Sequence, residues 1–377
     1  MLLEMLRLRN FRNLHRVDIE PHQRFNILTG ANGQGKTNLL ESIYLLGAVK
    51  SFRSRATNRN LIRFDADQAE LESRIRRGGH VRSVRIEISE RGKSVYLNGE
   101  TVRNLSDFFG TLNIVVFGPD DIEILKGSPS GRRQFIDRAI FNAHPAYATE
   151  SKHYDDVVGH RNSLLKEPPV DDALLSVYDD QFVEWGTKIL ERRLDFLRHF
   201  RPVLTRTFDA IFGTGLTADI TYDATWIAGE LDEDQALEDS TYLERLLAES
   251  LRRTGEKERR RGYTVVGPHR DDLKATLDGR NVRTFASQGQ TRAFVLAMKI
   301  AEITYLEERY HFAPILLLDD VSSELDRERN EYLFSFLRQR SSGQVFITTT
   351  HRDYILLDDE LRWFEVDDGD VSRHAGD

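Results

Sequence analysis

With 377 residues, 40% hydrophobic and 30% charged, and a net charge of −8, the chain has the composition of a globular protein of roughly two to three domains. It contains no cysteine, which excludes a disulfide framework, thiol catalysis and cysteine-ligated zinc, and fits a reducing cytosol. No window approaches the ~18 apolar residues of a membrane helix and MLLEMLRLRN has no signal-peptide run, so a cytoplasmic protein without membrane contact is expected.

In chain order, MLRLRNF and FNILTG carry strand character, and RSVRIEIS alternates with period two. Between the first two strands and the third lies LTGANGQGKTNLLE, Leu28 to Glu41. Its residues Gly30, Ala31, Asn32, Gly33, Gln34, Gly35, Lys36 and Thr37 match the pattern G-x-x-x-x-G-K-[ST]. Glycines let successive backbone N–H groups face one concavity, Lys36 reaches the β and γ phosphates, and the Thr37 hydroxyl suits Mg²⁺. The helical spacing of TNLLESIYLL sets a helix N-terminus against the same phosphates. Arginines crowd the next stretch: Arg53, Arg55, Arg59, Arg63, Arg74, Arg76, Arg77, Arg82 and Arg85. With Arg132 and Arg133 they make a candidate phosphate-binding surface, and solvated surface charge is the plainer alternative. Asn98-Gly99 predicts a hairpin turn, and LNIVVFGP a short buried strand.

From about 126 to 261 the pattern turns helical. Leu175, Tyr178, Phe182, Trp185, Ile189 and Phe196 form one stripe, read as a packed face, with Pro168, Pro169 and Pro202 as punctuation. GELDEDQALED reads as a loop or solvated helix end. Strands return from about 262 in GYTVVGPHRDDLKATLDGRNVRTF, with a turn at Asp278-Gly279. Then come the helix QGQTRAFVLAMKIAEITYLEERY, the strand PILLLDD, a helix near RERNEYLFSFLRQR and the strand GQVFITTT. Strands alternating with helices predict an α/β fold with a parallel or mixed sheet.

A phosphate cradle needs a carboxylate at the end of an apolar strand to hold the metal. ILLLDD supplies Asp319 for Mg²⁺ and, beside it, Asp320 to orient or deprotonate an attacking water. Lys36 and Asp319 lie roughly 280 residues apart, so a large helical insertion separates two halves of one ATPase sheet. The boundaries read from the sequence are 1–125 and 262–377 for the two parts of the ATPase domain and 126–261 for the lobe.

Several further stretches now fit a family. FASQGQTRAFVLA resembles the signature motif of ABC-type ATPases, with Ser287, Gly289 and Gln290 in place and Gln288 where glycine is usual. SSELD resembles their D-loop, ending at Asp326, and TTTH offers His351 as the switch histidine. LRLRNFRNLHRVDIEP resembles the opening of the SMC group, and GPHRDDL with SPSGRRQFID narrows the likeness to the RecF family of bacterial DNA replication and repair proteins. Residue by residue, simpler roles stand beside these: a helix N-cap at Ser287, a cap at Asp326, a loop histidine at His351 and a satisfied turn histidine at His269.

The resemblance implies an ABC-type P-loop ATPase head with an inserted, mainly helical lobe, and a composite site. One protomer's cradle binds ATP and Mg²⁺; the other's Ser287 and adjoining backbone cap the γ-phosphate. It implies an ATP-dependent homodimer that clamps gapped or single-strand/double-strand junction DNA and works with RecO and RecR in recombinase loading and SOS induction. Aspartate at position 320, where most transporters have glutamate, implies slow hydrolysis. No residue fits a Q-loop glutamine. The alternative is the nucleotide-binding subunit of an ABC transporter, in which the signature follows the cradle far more closely than the about 250 residues seen here.

Overall fold

In the first strand, Leu2–Phe11, Leu3, Leu6, Leu8 and Phe11 are buried while Arg7 and Arg9 are exposed; a register shift between Leu3 and Met5 puts two buried residues, Met5 and Leu6, side by side. This computed structural model describes residues 1–374 except 54–55, 168, 214, 228–230 and 341–342. Arg55 and Pro168 therefore lie outside the described residues. The chain forms two compact units, Met1–Asp121 with Glu302–Asp377, and Ile122–Ala301.

The first unit is built on two six-stranded sheets. One is antiparallel, in the order Leu14–Ile19, Leu2–Phe11, Gln68–Arg77, His80–Ser89, Gly92–Leu97, Glu100–Thr101. Asn98 and Gly99 turn the last hairpin, both with positive φ, as a type I′ turn requires. In the other sheet the strands Leu361–Asp367, Phe25–Thr29, Val345–Thr349, Ile315–Asp319 and Ile114–Phe117 run parallel. Asp370–Arg373 adds an antiparallel edge, so the sheet is mixed. The central strands are buried along nearly their whole length because both faces are covered. The helix Lys36–Ala48 packs against strands of both sheets, and for that reason it is apolar nearly all round: Leu39, Leu40, Ile43, Leu45 and Leu46 are fully buried.

The second unit is mainly helical, with a three-stranded sheet in which Ala218–Asp223 pairs with Asp272–Leu277. That pairing carries the unit to Ala301, beyond the boundary of 261 read from helical periodicity, and its other edge falls at Ile122. Strand structure resumes at Asp272, later than GYTVV suggested. Pro202 does not end a helix as expected. A single helix of 41 residues, Asp172–Phe212, runs through it. Burial of Phe196, Phe200, Val203, Leu204 and Phe208 on either side outweighs the lost backbone hydrogen bond. The predicted stripe is in place, with Phe182 and Ile189 among its buried members.

The GPHRDD segment lies at the centre of this unit. A Cβ on Gly267, at φ +105, would stand 2.5 Å from the Phe182 ring and 2.7 Å from the Tyr154 hydroxyl, so only glycine fits. His269 Nδ1 shares a 2.7 Å hydrogen bond with Tyr154, and its pKa is lowered to about 4, chiefly by burial. His269 is thus a satisfied turn histidine. Asp271 is fully buried and accepts hydrogen bonds from Tyr222 Oη and Trp226 Nε1, both at 2.5 Å. Arg193 forks onto Asp137 and donates to Pro268 O at 2.7 Å. Arg132 forks onto Asp272, and Arg133 donates to the Asp271 carbonyl at 2.5 Å.

Burial raises the Asp271 pKa from 3.8 to about 7, so the folded state holds a proton there that the unfolded state has already lost. Stability from this group is full below pH 3.8 and is lost as pH rises through about 7. His269 acts oppositely, adding stability as pH rises from about 4 to 6.5, so Asp271 governs the range above that. Thermal melts from pH 6.5 to 8.5 should show a falling Tm that Asp271→Asn flattens; an undiminished fall in the variant would exclude Asp271 as its source.

Candidate nucleotide site

The strand Phe25–Thr29 ends, the glycine loop turns, and the helix Lys36–Ala48 begins. Gly30, Gly33 and Gly35 all take positive φ. Gly30 is also sterically required, since a Cβ there would stand 2.2 Å from Val366 O. Lys36 Nζ donates to the loop carbonyls of Gly30 at 2.6 Å and Ala31 at 2.8 Å. Burial lowers the Lys36 pKa, and Asp320 and Asp319 oppose that effect.

A cavity of about 270 Å³ opens here, lined by Asn32, Gly33, Gly35, Lys36, Thr37 and Asn38 from the loop and helix, and by Arg53, Pro119, Asp319, Asp320 and Thr348. Thr37 Oγ1 and Thr348 Oγ1 each donate to Asp319 Oδ1 at 2.8 Å. Burial raises the Asp319 pKa against the pull of these two bonds and of Arg53. A half-buried carboxylate and a hydroxyl converging in a polar cleft suit a hard cation such as Mg²⁺. Among the described residues no three acidic, histidine or cysteine side chains cluster to hold a metal unaided. Asp320 takes a left-handed conformation at φ 48, and its N–H donates to Thr348 Oγ1 at 2.8 Å.

Thr348 therefore ties the Asp319 carboxylate to the Asp320 backbone, a role its sequence position does not reveal. The signal is structural: Asp319 and Thr348 are partners in the parallel strand register. A second arrangement unseen in the sequence lies behind the loop. Glu41, fully buried, receives the Arg12 fork at 2.9 and 2.8 Å, the Ser51 hydroxyl, and Arg53 at 3.5 Å. Asn13, from the same NFRN turn, donates to Gln34 O at 3.0 Å and accepts from Asn38 at 2.8 Å. Asn10 and Arg12 both adopt positive φ, so this turn is held in a costly conformation to brace the phosphate loop.

The remaining expected residues stand as follows. His351 is exposed at the end of the strand Val345–Thr349, its ring edge-on to Tyr354 at 5.6 Å, and it does not line the cavity. Asp326 caps the helix Arg327–Gln339 by accepting from Arg329 N at 3.0 Å. In the second unit, Ser287 and Gln290 form a reciprocal cap on the helix Gln288–Tyr310, with Ser287 N to Gln290 Oε1 at 2.8 Å and Gln290 N to Ser287 Oγ at 3.1 Å. Ser287 accepts in that cap, so its exposed hydroxyl keeps its proton available for an anion. Gly289 follows one residue into the helix.

The arginine-rich stretch is largely engaged within the chain. Arg74 and Arg76 pair with Glu4, Arg85 with Glu70 and Glu87, Arg59 with Glu90 and Arg63 with Asp65. Arg132 and Arg133 hold the GPHRDD segment, and Arg53 faces the nucleotide cavity. Arg74, Arg76 and Arg85 thus stand in cross-strand ion pairs.

The RecF/RecN/SMC N-terminal domain family matches residues 2–367. The DNA replication and repair protein RecF of Geotalea uraniireducens (strain Rf4) is 39% identical over 373 residues, covering 98% of this chain and 100% of that protein. RecF of Myxococcus xanthus (strain DK1622) is 40% identical over 378 residues, covering 100% and 98%. Among solved structures, the recombination mediator protein RecF with ATP in the RecFOR pathway superposes with a TM-score of 0.89 at 30% identity, over 99% of this chain and 98% of that one. An Smc head bound to the C-terminal winged-helix domain of ScpA shares the fold, with a TM-score of 0.56 at 17% identity over 99% and 98%.

Thr348→Val keeps the shape of the site but removes the donor to Asp319 and the acceptor for Asp320 N–H. Urea unfolding should show a loss of about 1–3 kcal/mol, and an unshifted midpoint would refute the organising role.

Proposed function

The chain belongs to the RecF family of DNA replication and repair proteins, and from that premise we propose that it is an ATP-driven DNA clamp of recombinational repair. The observation that carries this reading is the convergence of the phosphate loop, Thr37 and Asp319 on one polar cavity.

In this reading the loop N–H groups and the helix N-terminus take the triphosphate, and Lys36 moves from its loop carbonyls to the β and γ phosphates. Thr37 and Asp319 hold Mg²⁺, which when bound neutralises charge on the phosphate oxygens. Asp320, fixed through Thr348, orients the attacking water and receives its proton. Its carboxylate is one methylene shorter than glutamate, which supports slow turnover. A second copy presents Ser287, Gly289 and Gln290 to the γ-phosphate, with Asp326 ending the D-loop and His351 as the switch histidine. ATP thereby closes a homodimer around gapped or junction DNA, RecO and RecR act with it in recombinase loading and SOS induction, and hydrolysis releases the DNA. The transporter-subunit alternative is disfavoured by the family match across residues 2–367.

Phosphate release tests the chemistry. Asp320→Asn should lower the rate on gapped DNA at least about 100-fold, the low end for a general base; a rate equal to the native chain would discard Asp320 as a catalytic group. Lys36→Met should lose ATP affinity, and undiminished binding would refute the cradle.

A further inference from the structure

A phosphate loop turns its N–H groups toward the ligand, so its carbonyls must find donors on the other side. Gln34, between the cavity-lining glycines Gly33 and Gly35, finds them on a distant hairpin and on the NFRN turn. Its carbonyl accepts from Gly369 N at 3.0 Å and from Asn13 Nδ2 at 3.0 Å. Its side-chain Oε1 accepts from Asp368 N at 2.5 Å. The Gln34 side chain is thus directed at the hairpin and takes no part in the cavity lining.

Asp368 and Gly369 form the two-residue turn between Leu361–Asp367 and Asp370–Arg373, with Asp367 and Asp370 as the last register pair. Both have positive φ, 44 and 85, as a type I′ turn requires. The two N–H groups at the tip of such a turn have no partner in the strand ladder, and here both go to Gln34. The close approach depends on glycine, since a Cβ on Gly369 would stand 2.2 Å from Asn13 O. The same hairpin meets the first residue of the loop, because Val366 O is the atom that a Cβ on Gly30 would strike. Its first strand pairs with Phe25–Thr29, which leads into the loop. The phosphate loop is therefore wedged between the NFRN turn and a hairpin 334 positions further along the chain.

We propose that the Asp368–Gly369 turn is a positioning element of the nucleotide site: it holds Gln34 so that the loop N–H groups face the phosphates before ATP arrives. A loop fixed in its bound shape loses less freedom on binding, which raises affinity. The proposal rests on the ATP-binding reading above and adds to it the part of the chain that sets the shape of the loop.

Equilibrium titration of the full chain with Mg-ATP, beside urea unfolding without nucleotide, tests it. Gln34→Met keeps the side-chain length and removes the acceptor for Asp368 N–H, whereas Gly369→Ala drives the turn off the loop. Gln34→Met should bind ATP about 5-fold more weakly, the scale of one lost hydrogen bond, and Gly369→Ala more weakly still. Because both act on one contact, the double variant should bind no more weakly than Gly369→Ala alone. Native affinity in Gln34→Met would overturn the proposal, even where Gly369→Ala fails to fold. So would losses that multiply in the double variant, or variants that unfold at lower urea yet bind ATP as the native chain does. A native chain that binds no Mg-ATP would instead sink the nucleotide reading, and this inference with it.

Discussion

A hydrogen bond of 2.8 Å joins Thr37 to Asp319 across a sequence separation of 282, and the first unit depends on that juncture. It exists because Phe25–Thr29 pairs in parallel with Val345–Thr349, and that strand with Ile315–Asp319. Neighbouring strands thus end together, delivering glycine loop, Asp319 and Thr348 to one edge. The inserted unit Ile122–Ala301 is tolerable because loop-closure entropy grows slowly, by about 0.6 kcal/mol per doubling of length. Placement of ligands beyond the carboxyl ends of parallel strands follows from the same geometry.

Around the juncture, burial is used to hold charges at fixed positions. Glu41 sits without solvent exposure on the phosphate-loop helix and fixes Arg12 and Arg53. Ionic groups buried this way need complete partnership, because removing one partner strands the other. The same economy governs the helical unit, where Asp137 and Asp272 meet Arg193 and Arg132 around GPHRDD.

Local features were readable from sequence. The glycine loop, the Asp319 strand and the turns at Asn98-Gly99 and Asp278-Gly279 each have a short-range chemical cause, and each stands where the pattern put it. What escaped depends on residues far apart. The strand Ala218–Asp223 hides between helices because its partner lies at Asp272–Leu277. Thr348 and Glu41 matter only through register and packing. Pro202 misled because a local breaking tendency yielded to tertiary burial, and the acidic partners of Arg74, Arg76 and Arg85 went unseen because they come from other strands.

Mass measured in solution by light scattering is the most direct test of the account. The central claim is that two copies jointly enclose each ATP. Mg-ATP with gapped DNA should double the mass of the native chain and leave Lys36→Met single. A native chain that stays at one copy under saturating Mg-ATP, with DNA present, would contradict it.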